Sequence, residues 1–349
     1  MKPLVKKQKK FIECYACNHR CKILDGRVGI CGVRANNGGK FKLLVYERPC
    51  AVWIDPIEKK PLFHFLPGTS SYSIGTFGCN FSCEFCQNYD ISQAPHDAKE
   101  KDPKQWRNYF ENLIRRCPIL SPDDVVKNAI NGNCKSISFT YNEPTIFTEY
   151  ALDIMKIANK KKIKGVYVTN GYETKECWER LDGYIHAANI DLKAFTERFY
   201  RDICHAKLEP VKESIKIAKE MGIWVEVTTL IVPGENDSEE ELKQIAEFLY
   251  KIDSGMPWHV TAFRPAYKML NKPPTSPEIL IKAREIGKSA GLKHVYCGNL
   301  SYAYSEFEKT ICPNCEKELI RRVGFEVTRH HIKKGKCKFC GIKINGIWE

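Results

Sequence analysis

The sequence has no apolar run that is long enough to cross a lipid bilayer. Its longest apolar stretches, such as IWVEVTTLIV, are interrupted by a charge and fall short of the roughly 20 residues that a spanning helix requires. The basic start, MKPLVKKQKK, also lacks the apolar segment that follows such a start in a signal peptide. We therefore expect a cytoplasmic protein that does not enter a membrane.

The composition also lacks the marks of a disordered chain. Of the 349 residues, 43% are hydrophobic, and charges of both signs are present, so the chain can bury a large core. The formal net charge of +13 would suit a nucleic acid or an acidic partner. Because this charge is spread along the whole chain, a lysine-rich surface is the simpler interpretation, and we do not expect nucleic-acid binding.

Cysteine is the residue that the chain has in abundance. A reducing cytoplasm disfavours disulfides, and the spacing of the seventeen cysteines indicates metal binding instead, because eleven of them lie in three tight clusters. The remaining cysteines are isolated and are expected to be small buried apolar residues: Cys50, Cys117, Cys134, Cys177, Cys204 and Cys297.

The first cluster belongs to a small Cys-rich metal-binding module over residues 1–60. It contains Cys14, Cys17, Cys21 and Cys31, interspersed with glycines, and this composition indicates turns around a metal rather than a helical core. The spacing is compatible with a zinc knuckle and with an auxiliary iron–sulfur cluster. The sequence leaves both alternatives open.

The last cluster lies in residues 301–349. Cys312 and Cys315 are followed, after a segment that predicts a β-hairpin, by Cys337 and Cys340. Two such pairs predict a zinc-ribbon-like module, in which four thiolates complete a tetrahedral zinc site and stabilise a segment too small to have its own core. A second iron–sulfur cluster is the competing interpretation.

Between these modules, residues 61–300 alternate between strand-like and helix-like segments. KGVYVTN is typical of a buried strand, and EPVKESIKIAKEMG has the apolar spacing of an amphipathic helix. Such alternation predicts an α/β fold with a parallel sheet, and about six such units predict a partial (β/α)6 TIM-like barrel. A charged helical insertion over residues 97–117 interrupts the pattern.

Polar residues follow several of the predicted strands. The carboxyl ends of barrel strands share one face, where active sites are built. We therefore expect the following side chains to lie near one another: Asn142, Glu143, Asn170, Asp191, Lys193 and Arg264. The central cysteine cluster also follows a predicted strand and is expected at the same face.

The central cluster, GCNFSCEFCQN, contains only three cysteines. Cys79, Cys83 and Cys86 leave a tetrahedral zinc site one ligand short. The Cys-x3-Cys-x2-Cys spacing, with the aromatic Phe85 before the last cysteine, resembles the radical S-adenosylmethionine (radical SAM) superfamily. This resemblance implies a [4Fe–4S] cluster whose fourth iron is left for the amino nitrogen and carboxylate of S-adenosylmethionine (SAM).

Further motifs narrow the resemblance. DPIEKKPLFHFLPG, YNEPT, TNG, DLK and VPG resemble the branch around pyruvate formate-lyase activating enzymes. The four N-terminal cysteines, the DLKAF…FYRDICHAKLEPV stretch and the C-terminal ribbon ending in INGIW are similar to the radical SAM component of the AmmeMemoRadiSam system. That resemblance extends over nearly the whole chain and implies Memo-type and AMMECR-type partner proteins.

The resemblance also implies roles for individual residues. It places these residues around SAM: Phe85 near the adenine, Glu143 at the ammonium group, Asn170, Asp191 and Lys193 at the ribose and carboxylate, and Asn142 and Arg264 as further contacts. A lysine that faces a carboxylate is electrostatically favourable. Lys193 therefore joins the three cysteines as a candidate catalytic residue.

The implied reaction begins with one electron from a flavodoxin or a ferredoxin. The cluster then cleaves SAM reductively into methionine and a 5′-deoxyadenosyl radical, which takes hydrogen from an unidentified small-molecule substrate. Two alternatives remain open. One is activation of a glycyl-radical enzyme, and the other is a non-catalytic zinc protein that binds nucleic acid through the basic C-terminal ribbon.

Overall fold

The computed structural model describes residues 2–349, and its N-terminal part is built from short strands around the first four cysteines. Three antiparallel strands form one small sheet and a hairpin forms a second. The strands are β1 (Val5–Lys7), β2 (Phe11–Cys14), β3 (Lys22–Leu24), β4 (Arg34–Asn37) and β5 (Lys40–Leu43).

The centre of the molecule is an eight-stranded sheet whose strands lie side by side in chain order. Its first strand is antiparallel to the second, and all other neighbours are parallel. The strands are β6 (Ala51–Pro56), β7 (Ser70–Gly75), β8 (Ser136–Phe139), β9 (Lys164–Thr169), β10 (Ala187–Asp191), β11 (Trp224–Ile231), β12 (Trp258–Ala262) and β13 (Val295–Gly298).

Ten α-helices within residues 2–349 connect or flank these strands, and the seventh continues directly into a π-helix at Tyr200–Cys204. The helices are α1 (Tyr89–Ser92), α2 (Ala94–Lys101), α3 (Trp106–Arg116), α4 (Pro122–Asn131), α5 (Thr148–Ala158), α6 (Lys175–Leu181), α7 (Glu197–Phe199), α8 (Leu208–Glu220), α9 (Glu239–Ile252) and α10 (Pro277–Ser289). None of the helices within residues 2–349 combines the length and the apolar character that crossing a bilayer requires.

The predicted α/β fold with a mostly parallel sheet is confirmed. Apolar strands alternate with amphipathic helices, and helices such as α4, α5, α8 and α10 pack against strands of the sheet. β6 was not predicted as a strand of this sheet. It lies within the range 1–60 assigned to the N-terminal module, yet it pairs with β7 along its full length, from Ala51 opposite Gly75 to Pro56 opposite Ser70. Closure into a partial barrel stays a prediction.

The charged segment 97–117 contains most of α2 and all of α3. Phe110 and Ile114 are buried, whereas most of the other α3 side chains are partly or fully exposed. The Phe110 ring packs edge-to-face against Phe77, with 6.1 Å between ring centroids. Because Phe77 immediately precedes the central cysteine loop, this helix contacts the segment that leads into that loop.

The C-terminal part consists of short strands and docks at the amino ends of the parallel strands. Its strands are β14 (Thr310–Ile311), β15 (Glu318–Val323), β16 (Glu326–His330), β17 (Ile332–Lys333) and β18 (Lys336–Cys337). The Ile347 N–H donates to the carbonyl of His64 at 2.8 Å, and Arg322 donates to the carbonyl of Phe63 at 2.6 Å. Both acceptors lie in the connection that leads into the start of β7, so this part is at the opposite end of the sheet from the cysteine loop.

Candidate functional site

The central cysteine loop begins at Gly78, with two residues between it and the end of β7 at Gly75. Gly78 has a φ of +93°, and a Cβ atom there would lie 2.4 Å from the carbonyl oxygen of Cys31, so only glycine fits without displacing the backbone. The side chain of Asn142 fixes the entry to the loop. Its oxygen accepts from the Thr76 N–H at 3.0 Å, and its nitrogen donates to the Gly78 carbonyl at 2.8 Å.

The π-helix holds the other side of the loop. The N–H groups of Ser82 and Glu84 donate to the carbonyls of Cys204 and Ile203, at 3.2 and 3.1 Å. A π-helix widens the turn and exposes such carbonyls, which is one reason why it recurs at functional sites. The isolated Cys204 is buried as predicted, and it lies beside one of the loop cysteines.

The three loop thiols differ in their electrostatic surroundings. A hydrogen bond from Cys204 lowers the pKa of Cys83, and the charge of Lys193 acts in the same direction against the effect of burial. Burial raises the pKa of Cys79 and of Cys86. These two thiols therefore need a bound cation to ionise at neutral pH.

Asp191 and Lys193 come together at the end of β10. The Lys193 ammonium lies 2.7 Å from the Asp191 carboxylate and 5.7 Å from the centroid of the Phe85 ring. Burial opposes the positive charge, but Asp191 and the thiols of Cys83 and Cys204 outweigh it, and the pKa of Lys193 is well above its usual value. A permanent cation thus stands beside the cysteine loop.

Glu143 and Glu173 form a buried carboxyl pair behind the same face. The hydroxyl groups of Thr145 and Thr169 each lie within hydrogen-bond distance of both carboxyl groups. Burial and the nearby charge of Glu173 raise the pKa of Glu143 to about 8. Burial also raises the pKa of Glu173, so the pair retains a proton at neutral pH.

Asn170 joins this pair to the cysteine loop. Its backbone N–H donates to Glu143 Oε2 at 2.7 Å, and its side-chain nitrogen donates to Asn80 Oδ1 at 2.7 Å. Asn80 lies between Cys79 and Phe81 in the loop. The ends of β8 and β9 are therefore connected to the loop through hydrogen bonds that the chain itself supplies.

Arg264 is the predicted site residue that the structure leaves outside this group. It follows β12 and is exposed, and within residues 2–349 no hydrogen bond or ion pair joins its side chain to another group. A strand end determines the edge of the sheet on which a residue lies, but it does not determine whether the side chain turns inward.

Sequence reasoning did not identify Glu173, Asp55 or Lys60 as site residues. Glu173 follows β9 in the TNGYET stretch, three residues after Asn170, and the strand-end rule would have found it. Tyr141 has a φ of +71° and donates its hydroxyl to Asp55, which also accepts from Lys60 at 2.7 Å. Burial lowers the pKa of Lys60 to about 8. This buried group links the DPIEKK motif to the end of β8.

The four C-terminal thiols are close enough to share one metal ion. All of their Sγ atoms lie within 4.8 Å of one another, with 3.6 Å between Cys312 and Cys340 and 3.8 Å between Cys315 and Cys337. Tetrahedral zinc with bonds of about 2.3 Å places its sulfurs about 3.8 Å apart. Two basic side chains of the C-terminal ribbon are already engaged within the protein. Arg321 forms an ion pair with Glu318, and Arg322 is buried.

The three loop thiols fit a [4Fe–4S] cluster by the chemistry of their donor set. They are soft thiolate ligands on one buried loop, and iron–sulfur clusters are held by such ligands. In the described part of the chain, residues 2–349, the Sγ atoms of these three cysteines do not all lie within 4.8 Å of one another. Such a spacing is expected when each thiolate binds a different iron. Cys79 Sγ also accepts from the Phe81 N–H at 3.4 Å.

The chain is similar to several known proteins. The model of the Radical SAM superfamily matches residues 73–249, which include the cysteine loop and β8 to β11. The uncharacterized protein MJ0808 of Methanocaldococcus jannaschii is 41% identical, covering 96% of this chain and 95% of that protein. The putative glycyl-radical enzyme activating enzyme MJ1632 of the same organism is 27% identical, covering 60% and 74%.

A solved structure is also similar to part of the chain. A domain of pyruvate-formate lyase-activating enzyme from Bacteroides vulgatus has a TM-score of 0.41 and 21% identity, and it aligns over 47% of this chain and 99% of that domain. The match to the family model covers about half of the chain, and the 41% identical relative aligns along nearly its full length. The chain belongs to the radical SAM superfamily.

Proposed function

We propose that the chain is a radical SAM enzyme that cleaves SAM reductively and uses the resulting radical to abstract hydrogen from a small-molecule substrate. Members of the superfamily are enzymes, and the family implies a [4Fe–4S] cluster and SAM. The observation that supports the proposal best is the meeting of the three-cysteine loop with Lys193, Asp191 and Asn170 at the carboxyl ends of neighbouring strands.

The residues of this chain have distinct roles in the proposal. Cys79, Cys83 and Cys86 bind the cluster through three thiolates. When bound, the cluster supplies the electron that cleaves SAM into methionine and a 5′-deoxyadenosyl radical. The half-buried Lys193 ammonium attracts the SAM carboxylate, because an ion pair is stronger where water is partly excluded. Phe85 offers a flat apolar surface for the adenine.

The remaining predicted residues orient the cofactor or the loop. Glu143 offers a carboxyl oxygen as an acceptor for the SAM ammonium, and the hydroxyls of Thr145 and Thr169 fix the direction of that carboxyl group. Asn170 and Asp191 offer hydrogen-bonding groups for the ribose. Asn142 positions the loop through Thr76 and Gly78. Arg264 stands at the exposed rim, where it would meet SAM only after its side chain turns inward.

The assignment to a narrower group of radical SAM enzymes follows the resemblance of the sequence motifs. We assign the chain to the AmmeMemoRadiSam system, with Memo-type and AMMECR-type proteins as partners and a flavodoxin or ferredoxin as the one-electron donor. Low-potential iron–sulfur chemistry requires a reducing compartment, which supports the cytoplasm. The tight C-terminal thiol group is assigned to structural zinc, because its sulfur spacing fits a single tetrahedral ion.

The test is cleavage of SAM by the full chain. After anaerobic reconstitution with iron and sulfide, the reduced protein is incubated with SAM, and 5′-deoxyadenosine is quantified. The variant with all three loop cysteines replaced by alanine should form none, whereas the isolated-cysteine variant Cys117→Ala should match the wild type. Failure of the reconstituted wild type to form 5′-deoxyadenosine, with its iron loaded, would contradict the proposal.

A second candidate function is activation of a glycyl-radical enzyme. It is favoured by the similarity to the putative activating enzyme MJ1632, which extends over 60% of this chain. Under this alternative, the hydrogen is taken from a backbone glycine of a partner protein. Incubation with SAM, reductant and cell extract would then produce a stable protein radical detectable by electron paramagnetic resonance (EPR). Deuterium transfer from a small molecule into 5′-deoxyadenosine would support the first candidate instead.

A further inference from the structure

The four N-terminal cysteines surround one cavity. Its wall contains Cys14, Cys17, Cys21 and Cys31 together with Arg34 and Asn80. Three of the four thiols are buried and the fourth is half-buried. The cavity is therefore a shared thiol-lined space inside the protein and not a set of unrelated cysteines.

The sulfur spacing in this cavity differs from that of the C-terminal group. Among residues 2–349, only the C-terminal cysteines have at least three sulfurs all within 4.8 Å of one another. The N-terminal four are more widely separated, and so are the three loop cysteines. A single zinc ion needs sulfurs about 3.8 Å apart. A polynuclear cluster separates them further, because each thiolate binds a different iron.

Arg34 provides a second, chemical indication. Its Nε donates to Cys14 Sγ at 3.1 Å, and its two terminal nitrogens are held by Glu149 at 2.6 and 2.8 Å. The guanidinium is 2% exposed. The Arg34–Glu149 ion pair carries no net charge, so Arg34 contributes a fixed, buried N–H donor to a thiolate sulfur. Such hydrogen bonds tune the potential of an iron–sulfur centre.

The N-terminal cavity adjoins the central cysteine loop. Asn80, which follows Cys79, forms part of the cavity wall, and its carbonyl accepts from His19 Nε2 at 2.7 Å. The Cys31 carbonyl is so near Gly78 that no side chain fits between them. Gly78 and Asn80 of the central loop therefore lie against the segment and the cavity that hold the N-terminal thiols.

We propose that Cys14, Cys17, Cys21 and Cys31 bind an iron–sulfur cluster, not zinc, and that this cluster relays electrons to the central loop. Four protein thiolates leave no iron free for SAM or substrate, so electron transfer is the chemistry that remains. One electron enters from a flavodoxin or ferredoxin and reduces this cluster. The same electron then moves to the cluster of the central loop, and the N-terminal cluster returns to its oxidised state.

The assignment of an iron–sulfur cluster to the four N-terminal cysteines does not depend on the proposed function. The relay role does rest on the proposed function, because the relayed electron is used to cleave SAM. The first experiment therefore counts metals in the full chain after the three loop cysteines are replaced by alanine. We expect about four iron and four sulfide per chain to remain, with about one zinc. A chain with about two zinc and no iron would overturn the proposal.

Control variants identify which thiols hold each metal. Replacing Cys312 and Cys315 by alanine should remove zinc and leave iron unchanged, which excludes iron bound at the C-terminal group. In the otherwise wild-type chain, Cys17→Ala together with Cys21→Ala should remove about half of the iron. If this pair of substitutions prevents folding, the reduced wild type still offers a test. Its EPR spectrum should show two magnetically coupled centres, and the triple loop variant only one.

The second experiment tests the relay with two reductants. Dithionite reduces both clusters directly, whereas flavodoxin should reach the central loop through the N-terminal one. In the Cys17/Cys21 variant, the ratio of flavodoxin-driven to dithionite-driven 5′-deoxyadenosine formation should fall at least about tenfold. An unchanged ratio would overturn the relay. Absence of 5′-deoxyadenosine from the wild type with either reductant would instead refute the proposed function and leave the metal assignment intact.

Discussion

Asn170 donates a hydrogen bond of 2.7 Å to Asn80, and this contact joins the end of β9 to the loop that carries Cys79. The two residues are 90 positions apart in the chain. Asn170 also binds Glu143 through its backbone N–H. The loop is thus held in register with the strand ends before any cofactor arrives.

Loss of this contact should lower stability. Asn80→Ala leaves the buried side-chain nitrogen of Asn170 without its partner, and an unsatisfied buried donor costs about 1–3 kcal/mol. Urea denaturation of the apo protein should show a decrease of that size in the free energy of unfolding. Asn112→Ala on the exposed side of α3 is the control and should change it by less than about 0.5 kcal/mol. An equal effect of both substitutions would contradict the assigned role.

Gly78 should not tolerate a side chain. Gly78→Ala introduces a Cβ at 2.4 Å from the Cys31 carbonyl, in addition to a positive φ. Gly183→Ala is a matched control, because Gly183 also has a positive φ but nothing within 4 Å of its Cβ position. The control should lose about 1–2 kcal/mol of stability from backbone strain alone. The Gly78 variant should lose more and should also bind less iron after reconstitution. Equal iron contents would argue against the close contact.

Lys193 should affect SAM binding more than cluster binding. Lys193→Met removes the half-buried ammonium beside Asp191 and Cys83, and a charge-assisted hydrogen bond contributes about 1.5–3 kcal/mol. The KM for SAM should therefore rise about 10- to 100-fold, with iron content unchanged. Lys219→Met on α8, which removes an ion pair with Asp253 after α9, is the control. Loss of iron without a change in the KM would show that Lys193 stabilises the loop instead.

The Glu143–Glu173 pair should make stability depend on pH. The pKa of Glu143 is about 8 in the folded chain and 4.5 as its ordinary value, so the folded state binds more protons between these values. Stability should therefore fall as the pH rises from about 5 to about 8, by at most ~1.4 kcal/mol per unit for one proton. Above both pKa values the loss in the free energy of unfolding no longer changes with pH, because Glu143 is then deprotonated in the folded and the unfolded state.

Glu173→Gln tests the cause of that dependence. It removes the charge that helps to raise the pKa of Glu143, so the decline in unfolding free energy between pH 6 and pH 8 should become smaller. Denaturant titrations at pH 6, 7 and 8 measure the slope for the wild type and the variant. Glu179→Gln on the exposed face of α6 should leave the slope unchanged. A variant slope as steep as that of the wild type would show that other groups dominate.

The C-terminal metal should stabilise the fold without taking part in the reaction. Replacing Cys337 and Cys340 by alanine should remove one zinc and lower the thermal midpoint, because a small module without its metal has little core. At temperatures below the lowered midpoint, 5′-deoxyadenosine formation should stay within about twofold of the wild type, since distant sites act independently. A complete loss of activity in a folded variant would assign the module a functional role.

Local patterns accounted for much of the fold. The alternation of apolar strands with amphipathic helices predicted the parallel sheet from β7 to β13, because side-chain periodicity reports which face of an element is buried. The missed strand, β6, has three half-exposed or exposed large residues in a row. It joins the sheet as an edge strand, where one side of the backbone has no neighbour and the apolar pattern is weak.

The amino-acid sequence alone determined the cysteine triad, its superfamily and the strand ends on which Asn170, Asp191 and Lys193 lie, because these depend on short spacings and local periodicity. The tertiary structure decided which side chains meet, for example Glu143 and Glu173. It also left Arg264 outside the group of site residues. The same packing separated the wide N-terminal thiol set, for which residue spacing had left zinc and an iron–sulfur cluster open, from the tight C-terminal set, for which residue spacing had favoured zinc. The physical reason is that distances between sulfurs and the direction of a side chain are set by packing between segments far apart in the chain, and residue spacing does not encode them.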